Sequence, residues 1–118
     1  MLEPKRGDIW LVNLDPTVGH EIKKVRPCVI IQNDIGNKYS PITIIVPITS
    51  QKTEKVFPFE VLLVDIKGLD KSSKVLLNQI RAIDKVRLVK RIGKLDNFTV
   101  QKVDEAIKIS LGLQSQAT

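Results

Sequence analysis

The stretch that decides the fold of this chain is Glu21-Ile-Lys-Lys-Val-Arg-Pro-Cys-Val-Ile-Ile-Gln-Asn-Asp34. A loop with one carboxylate and several cations passes directly into a run of mostly β-branched apolar residues, from Val25 to Ile31. Val and Ile suit the pleated core of a sheet, and a free Cys packs as a small hydrophobe, so this run predicts a buried strand. Glu21 and Arg26 therefore lie at the mouth of a rigid element, where functional sites are commonly built.

Other short apolar runs, separated by Gly, Pro, Asn and Asp, predict further strands along the chain. The predicted strands are Ile9 to Leu14, Val25 to Gln32, Ile42 to Ile48, Phe57 to Val64, Lys74 to Ile83 and Leu88 to Leu95. Turn chemistry is clearest at residues 15–19 and 33–37. In the fifth predicted strand, Asn78 and Gln79 interrupt an otherwise apolar pattern.

The C-terminal segment predicts one amphipathic helix. Asp96 or Asn97 can serve as its N-cap, and Gly112 is a suitable C-terminal stop. The apolar stripe of this helix consists of Phe98, Val103, Ala106, Ile107 and Leu111. Many short strands followed by one helix predict a mainly β fold, a small barrel or half-barrel on which the helix packs.

Length and composition limit the possible functions. A chain of 118 residues predicts a single domain, residues 1–118, that folds without a metal or disulfide. Its single Cys excludes an internal disulfide and a Cys-rich zinc site, and no run predicts a signal peptide or a spanning helix. We therefore expect a cytoplasmic protein without a cofactor. The 19 Lys and Arg against 13 Asp and Glu, a net charge of +6, favour a polyanionic partner.

Polar residues from distant parts of the chain are predicted to converge at one end of the sheet. If consecutive strands pair antiparallel, the end of the first strand, the start of the second and the end of the third meet there. The residues expected at this end are Glu21, Arg26, Thr49, Ser50, Asn78 and Gln79.

This set of side chains suits phosphoryl transfer on RNA. In such a cleavage the 2′-hydroxyl attacks the adjacent phosphorus, and the site supplies a base, an acid and donors for the developing charge. Arg26 offers a fork of donors to phosphate oxygens, Thr49 or Ser50 can donate a hydrogen bond, and Glu21 is the nearest candidate base. The very high pKa of an arginine makes charge stabilisation the first role to expect for Arg26.

Residue typing alone leaves structural interpretations open. Glu21 and Arg26 could form an exposed ion pair worth under about 1 kcal/mol. Thr49 could be an ordinary turn residue and Gln79 a strand-end residue that satisfies backbone groups. His20 is expected to be solvated, and Cys28 is expected in the core rather than as a nucleophile.

Several motifs along the whole chain resemble the MazF/PemK family of toxin endoribonucleases. The similar segments are Arg6-Gly-Asp-Ile-Trp10, Asp15-Pro-Thr-Val-Gly-His-Glu21, Arg26-Pro27, Pro47-Ile-Thr-Ser50 and Asn78-Gln-Ile-Arg-Ala-Ile-Asp84. Together these motifs are specific, although each alone would be weak. Many relatives carry an acidic residue before the Gln, where this chain has Asn78, and this difference bears on base preference.

The resemblance implies an SH3-like small β-barrel of the MazF/CcdB toxin type that forms a symmetric homodimer. It also implies metal-independent, sequence-specific cleavage of single-stranded RNA such as mRNA, leaving a 2′,3′-cyclic phosphate and a 5′-hydroxyl. The implied partner is a MazE-like antitoxin, which inhibits the toxin through a disordered tail and binds DNA together with it.

The resemblance also assigns roles to residues of this chain. Arg26 and Thr49 match the catalytic pair of the family, with Glu21 in support. The predicted RNA contacts are Thr17, His20, Lys23, Lys24, Ser50, Gln51, Lys52, Asn78 and Gln79.

Two other functions compete with the ribonuclease. The same fold hosts CcdB-like toxins that bind DNA gyrase without cleaving anything, and such a protein would not need Arg26 and Thr49 together. A non-catalytic RNA-binding module would show steep salt dependence but release no product. The joint presence of Arg26 and Thr49 favours the endoribonuclease.

Overall fold

The computed structural model describes residues 2–14 and 25–113 as seven strands, two α-helices and one 3₁₀ turn. The strands are β1 (Asp8–Asn13), β2 (Val25–Ile30), β3 (Ile42–Thr49), β4 (Glu60–Leu63), β5 (Ser73–Leu76), β6 (Arg81–Asp84) and β7 (Leu88–Lys94). The helices are α1 (Asp34–Tyr39) and α2 (Asn97–Leu111), and the 3₁₀ turn covers Lys85–Arg87. In this part of the chain no helix is both long and apolar enough to cross a membrane.

The strands form one antiparallel sheet in the order β4-β5-β3-β2-β1-β7. Strand β6 pairs with the first half of β3, on the same edge of β3 whose last residues pair with β5. The predicted mainly β fold with a C-terminal helix is confirmed. The assumed pairing of every consecutive strand is wrong between β3 and β4, because β3 pairs with β5 instead. It is also wrong before the last strand, because β6 pairs with β3 and β7 pairs with β1. The predicted strand Lys74 to Ile83 is also wrong as one element, since it divides into β5 and β6.

The two faces of the sheet carry two separate apolar clusters. One face holds Ile9, Val29, Val46, Val75 and others, and α2 covers it through Val103 and Ala106. The other face holds a smaller cluster that includes Trp10, Cys28, Ile30 and Ile83. Because side chains alternate between faces along a strand, the second face is the one to which Arg26 and Thr49 belong.

Helix α2 begins and ends where the sequence predicts. The Asp96 side chain accepts a hydrogen bond from the Thr99 N–H at 2.8 Å, which lowers the pKa of that carboxyl, and Gly112 ends the helix with φ +71°. Two members of the predicted stripe are not in the core, since Phe98 is 66% and Leu111 56% exposed. The core contacts of α2 come from the middle of the helix, from Val100 to Ile107, so side chains near its two ends stay exposed.

The predicted turn at residues 33–37 is instead the N-cap and the first four residues of α1. Asn33 caps the helix by accepting a hydrogen bond from the Gly36 N–H at 2.8 Å. The buried Asn37 accepts from the Thr43 hydroxyl at 2.7 Å and donates to the Gln32 carbonyl at 2.9 Å. A helix of six residues is too short to show a hydrophobic period, so its turn-like composition misled the prediction.

The opening Arg6-Gly-Asp segment contacts several distant elements of the fold and lies outside the candidate site. Arg6 donates from Nη2 to Asp104 of α2 at 2.6 Å and from Nε to the Ile31 carbonyl at 3.0 Å. The buried Asp8 accepts from the Lys5 N–H and from Trp10 Nε1, and its other oxygen lies 3.3 Å from Arg91 Nε. These contacts join the N-terminal turn to the residue that follows β2, to β7 and to α2.

The loop between β4 and β5 packs closely against β7. Gly68, with φ +99°, packs directly on the backbone of Ile92, and Gly93 packs in turn on the Lys67 carbonyl. This loop therefore lies against β7, at the far edge of the sheet from β4.

We expect Gly68→Ala to lower the free energy of unfolding by clearly more than about 1 kcal/mol, because the left-handed φ is strained for alanine and its Cβ would collide with the Ile92 carbonyl oxygen. Urea denaturation measures this loss. Gly112→Ala is the matched control, since Gly112 also has a left-handed φ but no atom lies within 4 Å of its added Cβ. Equal losses in the two variants would contradict the close packing of this loop on β7.

Candidate functional site

The strand register places Arg26 and Thr49 side by side. Cys28 of β2 pairs with Pro47 of β3, and the same register carried two residues further sets Arg26 opposite Thr49. Thr49 in turn pairs with Lys74 of β5, which pairs with Leu62 of β4. Paired residues lie on the same face with Cβ atoms about 4.5–5.5 Å apart, so Thr49, Lys74 and Leu62 form one row across the sheet, and the continued β2–β3 register adds Arg26 at its end.

Two clefts meet at this row, and both are lined by Arg26, Ile48 and Thr49. The first cleft has a volume of about 460 Å³ and is also lined by Ser50, Gln51 and the Gly68–Lys71 loop. The second cleft has a volume of about 540 Å³ and is also lined by Pro47, Leu76, Gln79 and Arg81. A bound chain can therefore pass over Arg26 and Thr49 with a neighbouring group in each cleft.

The Thr49 hydroxyl is oriented by the backbone of Gln51, two residues further along the chain. Its oxygen accepts a hydrogen bond from the Gln51 N–H at 3.1 Å. A hydroxyl has one hydrogen to donate and two lone pairs, so this contact occupies an acceptor position and leaves the hydrogen available for donation into the clefts. The half-buried Thr49 can thus act as a fixed donor toward a substrate oxygen.

Arg26 extends from β2 as an exposed side chain. No carboxylate among residues 2–14 and 25–113 pairs with its guanidinium. A guanidinium presents several N–H donors in one plane, and this geometry fits two oxygens of a phosphate group. Arg26 and Thr49 together can therefore donate hydrogen bonds to one phosphodiester.

The connection between β5 and β6 brings Gln79 to the site. Both strands pair with the same edge of β3, so the intervening residues leave that edge in a turn in which the Gln79 N–H donates to the Leu76 carbonyl at 3.1 Å. Gln79 lines the second cleft. The exposed Asn78 is its neighbour but lines neither of the two clefts.

The other predicted RNA contacts fall into two groups. Ser50 and Gln51 line the first cleft, whereas Lys52 follows them with φ +53° and lines neither cleft. The remaining predicted residues lie outside the described residues: Thr17, His20, Glu21, Lys23 and Lys24.

Sequence reasoning missed two cations of the site. Arg81 begins β6 opposite Ile45 and lines the second cleft, where it adds another guanidinium near Arg26. Lys71 lines the first cleft from the loop between β4 and β5. Arg81 could have been found, because it belongs to the Gln79-Ile-Arg81 segment, but Lys71 lies in a turn with no distinguishing signal.

Cys28 follows Arg26 by two residues on the same face of β2 but is buried. The side chain is buried in the smaller cluster, as the sequence predicts. Burial raises the pKa of the Cys28 thiol to about 12, although the nearby Arg81 and Arg26 charges act in the opposite direction. A thiol with this pKa stays neutral at physiological pH and is not a nucleophile.

Fold and site together define a small barrel-like β protein whose sheet carries a guanidinium and a hydroxyl between two open clefts. Residues 5–111 match the family described as PemK-like, MazF-like toxins of type II toxin–antitoxin systems. The chain is 48% identical over 111 residues to the endoribonuclease EndoA of Bacillus subtilis (strain 168), covering 92% of this chain and 95% of that protein. The chain belongs to this toxin family, and the predicted resemblance is confirmed.

Solved structures have the same fold. MazF from Deinococcus radiodurans superposes with a TM-score of 0.78 at 26% identity, covering 95% of this chain and 99% of that one. A mycobacterial endoribonuclease in complex with its cognate antitoxin superposes with a TM-score of 0.79 at 21% identity, covering 95% and 98%. The predicted fold of the MazF type is therefore confirmed.

Proposed function

We propose that this protein is the toxin of a type II toxin–antitoxin module and that it cleaves single-stranded RNA endonucleolytically. The family match and the 48% identity to an endoribonuclease bear out the predicted class of enzyme. The observation that supports a role for this site is the placement of Arg26 beside Thr49, where the two clefts meet.

The proposed chemistry is a transesterification within the RNA chain. The 2′-hydroxyl loses its proton to a base and attacks the adjacent phosphorus, the bond from phosphorus to the 5′-oxygen breaks, and that oxygen takes up a proton from an acid or from water. The products carry a 2′,3′-cyclic phosphate and a 5′-hydroxyl. Arg26 stabilises the charge that develops on the phosphoryl oxygens, and Thr49 donates a hydrogen bond to the same group. Glu21 is the candidate base for the 2′-hydroxyl proton, an assignment that depends on the sequence motif alone.

The clefts are suited to the nucleotides on either side of the cut. Amide and hydroxyl groups of Ser50 and Gln51 in the first cleft, and of Gln79 in the second, can hydrogen-bond the edges of unpaired bases. Arg81 and Lys71 add positive charge for the flanking phosphates. Unpaired RNA is the expected substrate, because its bases are free to enter the clefts.

The partners follow from the family. The mycobacterial relative has been solved with its cognate antitoxin, and we propose that this chain likewise forms a homodimer and binds a MazE-like antitoxin in the cytoplasm. The net charge of +6 favours an acidic segment in that partner.

Purified protein incubated with mixed-sequence single-stranded RNA in EDTA tests this function. We expect cuts at defined sites with cyclic-phosphate and 5′-hydroxyl ends, and no cut where the preceding 2′-hydroxyl is replaced by hydrogen. RNA that stays intact across varied sequences would contradict the nuclease. Cleavage that requires an added divalent metal would contradict the proposed chemistry.

A further inference from the structure

A buried ion pair lies next to the candidate site and has no role in the chemistry above. Lys74 Nζ is 2.9 Å from Glu60 Oε1, and the two side chains are only 6% and 7% exposed. The same ammonium donates to the Lys55 carbonyl at 3.0 Å, and the same carboxylate oxygen accepts from the Phe57 N–H at 3.0 Å. The pair therefore binds the backbone of the segment that precedes β4 at two points.

The position of Lys74 connects this pair to Thr49. Lys74 is the cross-strand partner of Thr49 in β5, on the face that carries the two clefts. A lysine on that face would ordinarily extend into solvent, yet Lys74 is buried. The interactions with Glu60 and Lys55 hold its ammonium toward β4 and away from the clefts.

The segment Ser50–Phe59 is thereby held at both of its ends. It begins next to Thr49, where the Gln51 N–H contacts the Thr49 hydroxyl, and its second half is bound by Lys74 and Glu60. This half carries Phe57, 41% exposed and stacked on Phe59 with ring centroids 5.5 Å apart. Lys55 Nζ lies 5.0 Å from the centroid of the Phe57 ring.

Stability alone does not explain this pair. Replacing a buried ion pair with well-packed apolar residues is often neutral or stabilising, because removing two charges from water offsets their attraction. Burial acts to raise the pKa of Glu60, but the hydrogen bonds from the Phe57 N–H and Lys74 lower that pKa below its usual value, so Glu60 is a carboxylate at neutral pH. What the ion pair supplies, and an apolar pair would not, is hydrogen bonds to two backbone groups of the segment.

We propose that Lys74 and Glu60 are positioning residues that set RNA affinity and cut-site preference by fixing the Ser50–Phe59 segment beside Thr49. This inference rests on the proposed function, because the KM and the cut-site pattern that test it are properties of RNA cleavage. Ser50 and Gln51 line the first cleft, so a change in the path of the segment moves polar groups that face the substrate. Neither residue of the pair touches the reacting phosphate.

The test uses the double variant Lys74→Met/Glu60→Leu, which keeps side-chain volume and removes both charges. We expect KM for a short RNA to rise about tenfold or more with kcat within about threefold, since displaced binding groups weaken substrate binding. Cleavage of a mixed RNA should also become less selective, and hydrogen exchange of the Phe57 amide should become faster. Glu105→Leu/Lys108→Met removes an exposed ion pair of α2 in the same way and is the matched control.

A folded double variant with wild-type KM and an unchanged cut-site pattern would overturn the proposal. If the double variant does not fold, Glu60→Asp decides, because it keeps the charge while shortening the side chain that reaches the Phe57 N–H. Glu60→Asp should then show the same rise in KM, and a wild-type KM would overturn the proposal. If the wild-type protein itself cuts no RNA, the proposed function fails, and the Phe57 exchange rate still tests the positioning.

Discussion

Replacing Arg26 by alanine should lower kcat for RNA cleavage by about 10²–10³-fold and leave the fold intact, because the guanidinium acts on charge that develops in the transition state. The side chain is exposed, so its loss should change the free energy of unfolding by no more than about 0.5 kcal/mol. Single-turnover cleavage of a short RNA, together with urea denaturation of the same samples, measures both quantities.

Arg26→Lys separates the charge from the geometry of the guanidinium. Lysine keeps the positive charge but presents a compact ammonium in place of a planar fork, so its kcat should lie between those of the wild type and Arg26→Ala. An Arg26→Ala protein that folds and cuts at nearly the wild-type rate would remove Arg26 from the mechanism. A large rise in KM with unchanged kcat would assign it to ground-state binding of phosphate instead.

Replacing Thr49 by valine should lower kcat by about 10²-fold, because the shape of the side chain is kept while the hydroxyl donor is lost. The Gln51 N–H loses its acceptor in this variant. Both Ser50 and Gln51 are exposed, so water can replace that hydrogen bond and the fold should be retained. Single-turnover rates at saturating RNA distinguish this loss of kcat from weaker binding.

Thr49→Ser is the control, since serine retains the hydroxyl that can accept from the Gln51 N–H and donate into the clefts. It should keep most of the wild-type kcat. Two results would contradict the assignment of Thr49 as a donor to the phosphate: a valine variant with nearly the wild-type kcat, or a serine variant as impaired as valine.

Much of the fold could be predicted from local patterns. The first three strands, the basic last strand and α2 agree with the structure to within two residues at each end, because their apolar periods and caps are strong. The errors occur where local signals conflict. Residues 33–37 have turn composition but begin a short helix, and the strand predicted at Phe57 begins only at Glu60, since Pro58 lies in a turn closed by the Glu60 N–H and the Phe57 carbonyl.

Part of the site could be predicted from the assumed antiparallel pairing of the strands. Arg26, Thr49, Ser50 and Gln79 were expected to converge, and the structure brings them to the two clefts. The route to that expectation assumed that β3 pairs with β4, whereas β5 lies between them. Gln79 reaches the site because one predicted strand divides where the chain turns away from the edge of β3.

The sequence by itself determined the residue types of the site, the strands that carry them and the helix that covers the opposite face. These features depend on the secondary-structure propensity and the hydrophobic period of each segment, which are set by residues close together in the sequence. Only the tertiary structure decided that Arg26 and Thr49 line the same two clefts, that Lys74 pairs with Thr49, and that Glu60 meets Lys74 there. Register and strand order depend on packing between distant segments, so the neighbours of a side chain are settled only when the whole sheet forms.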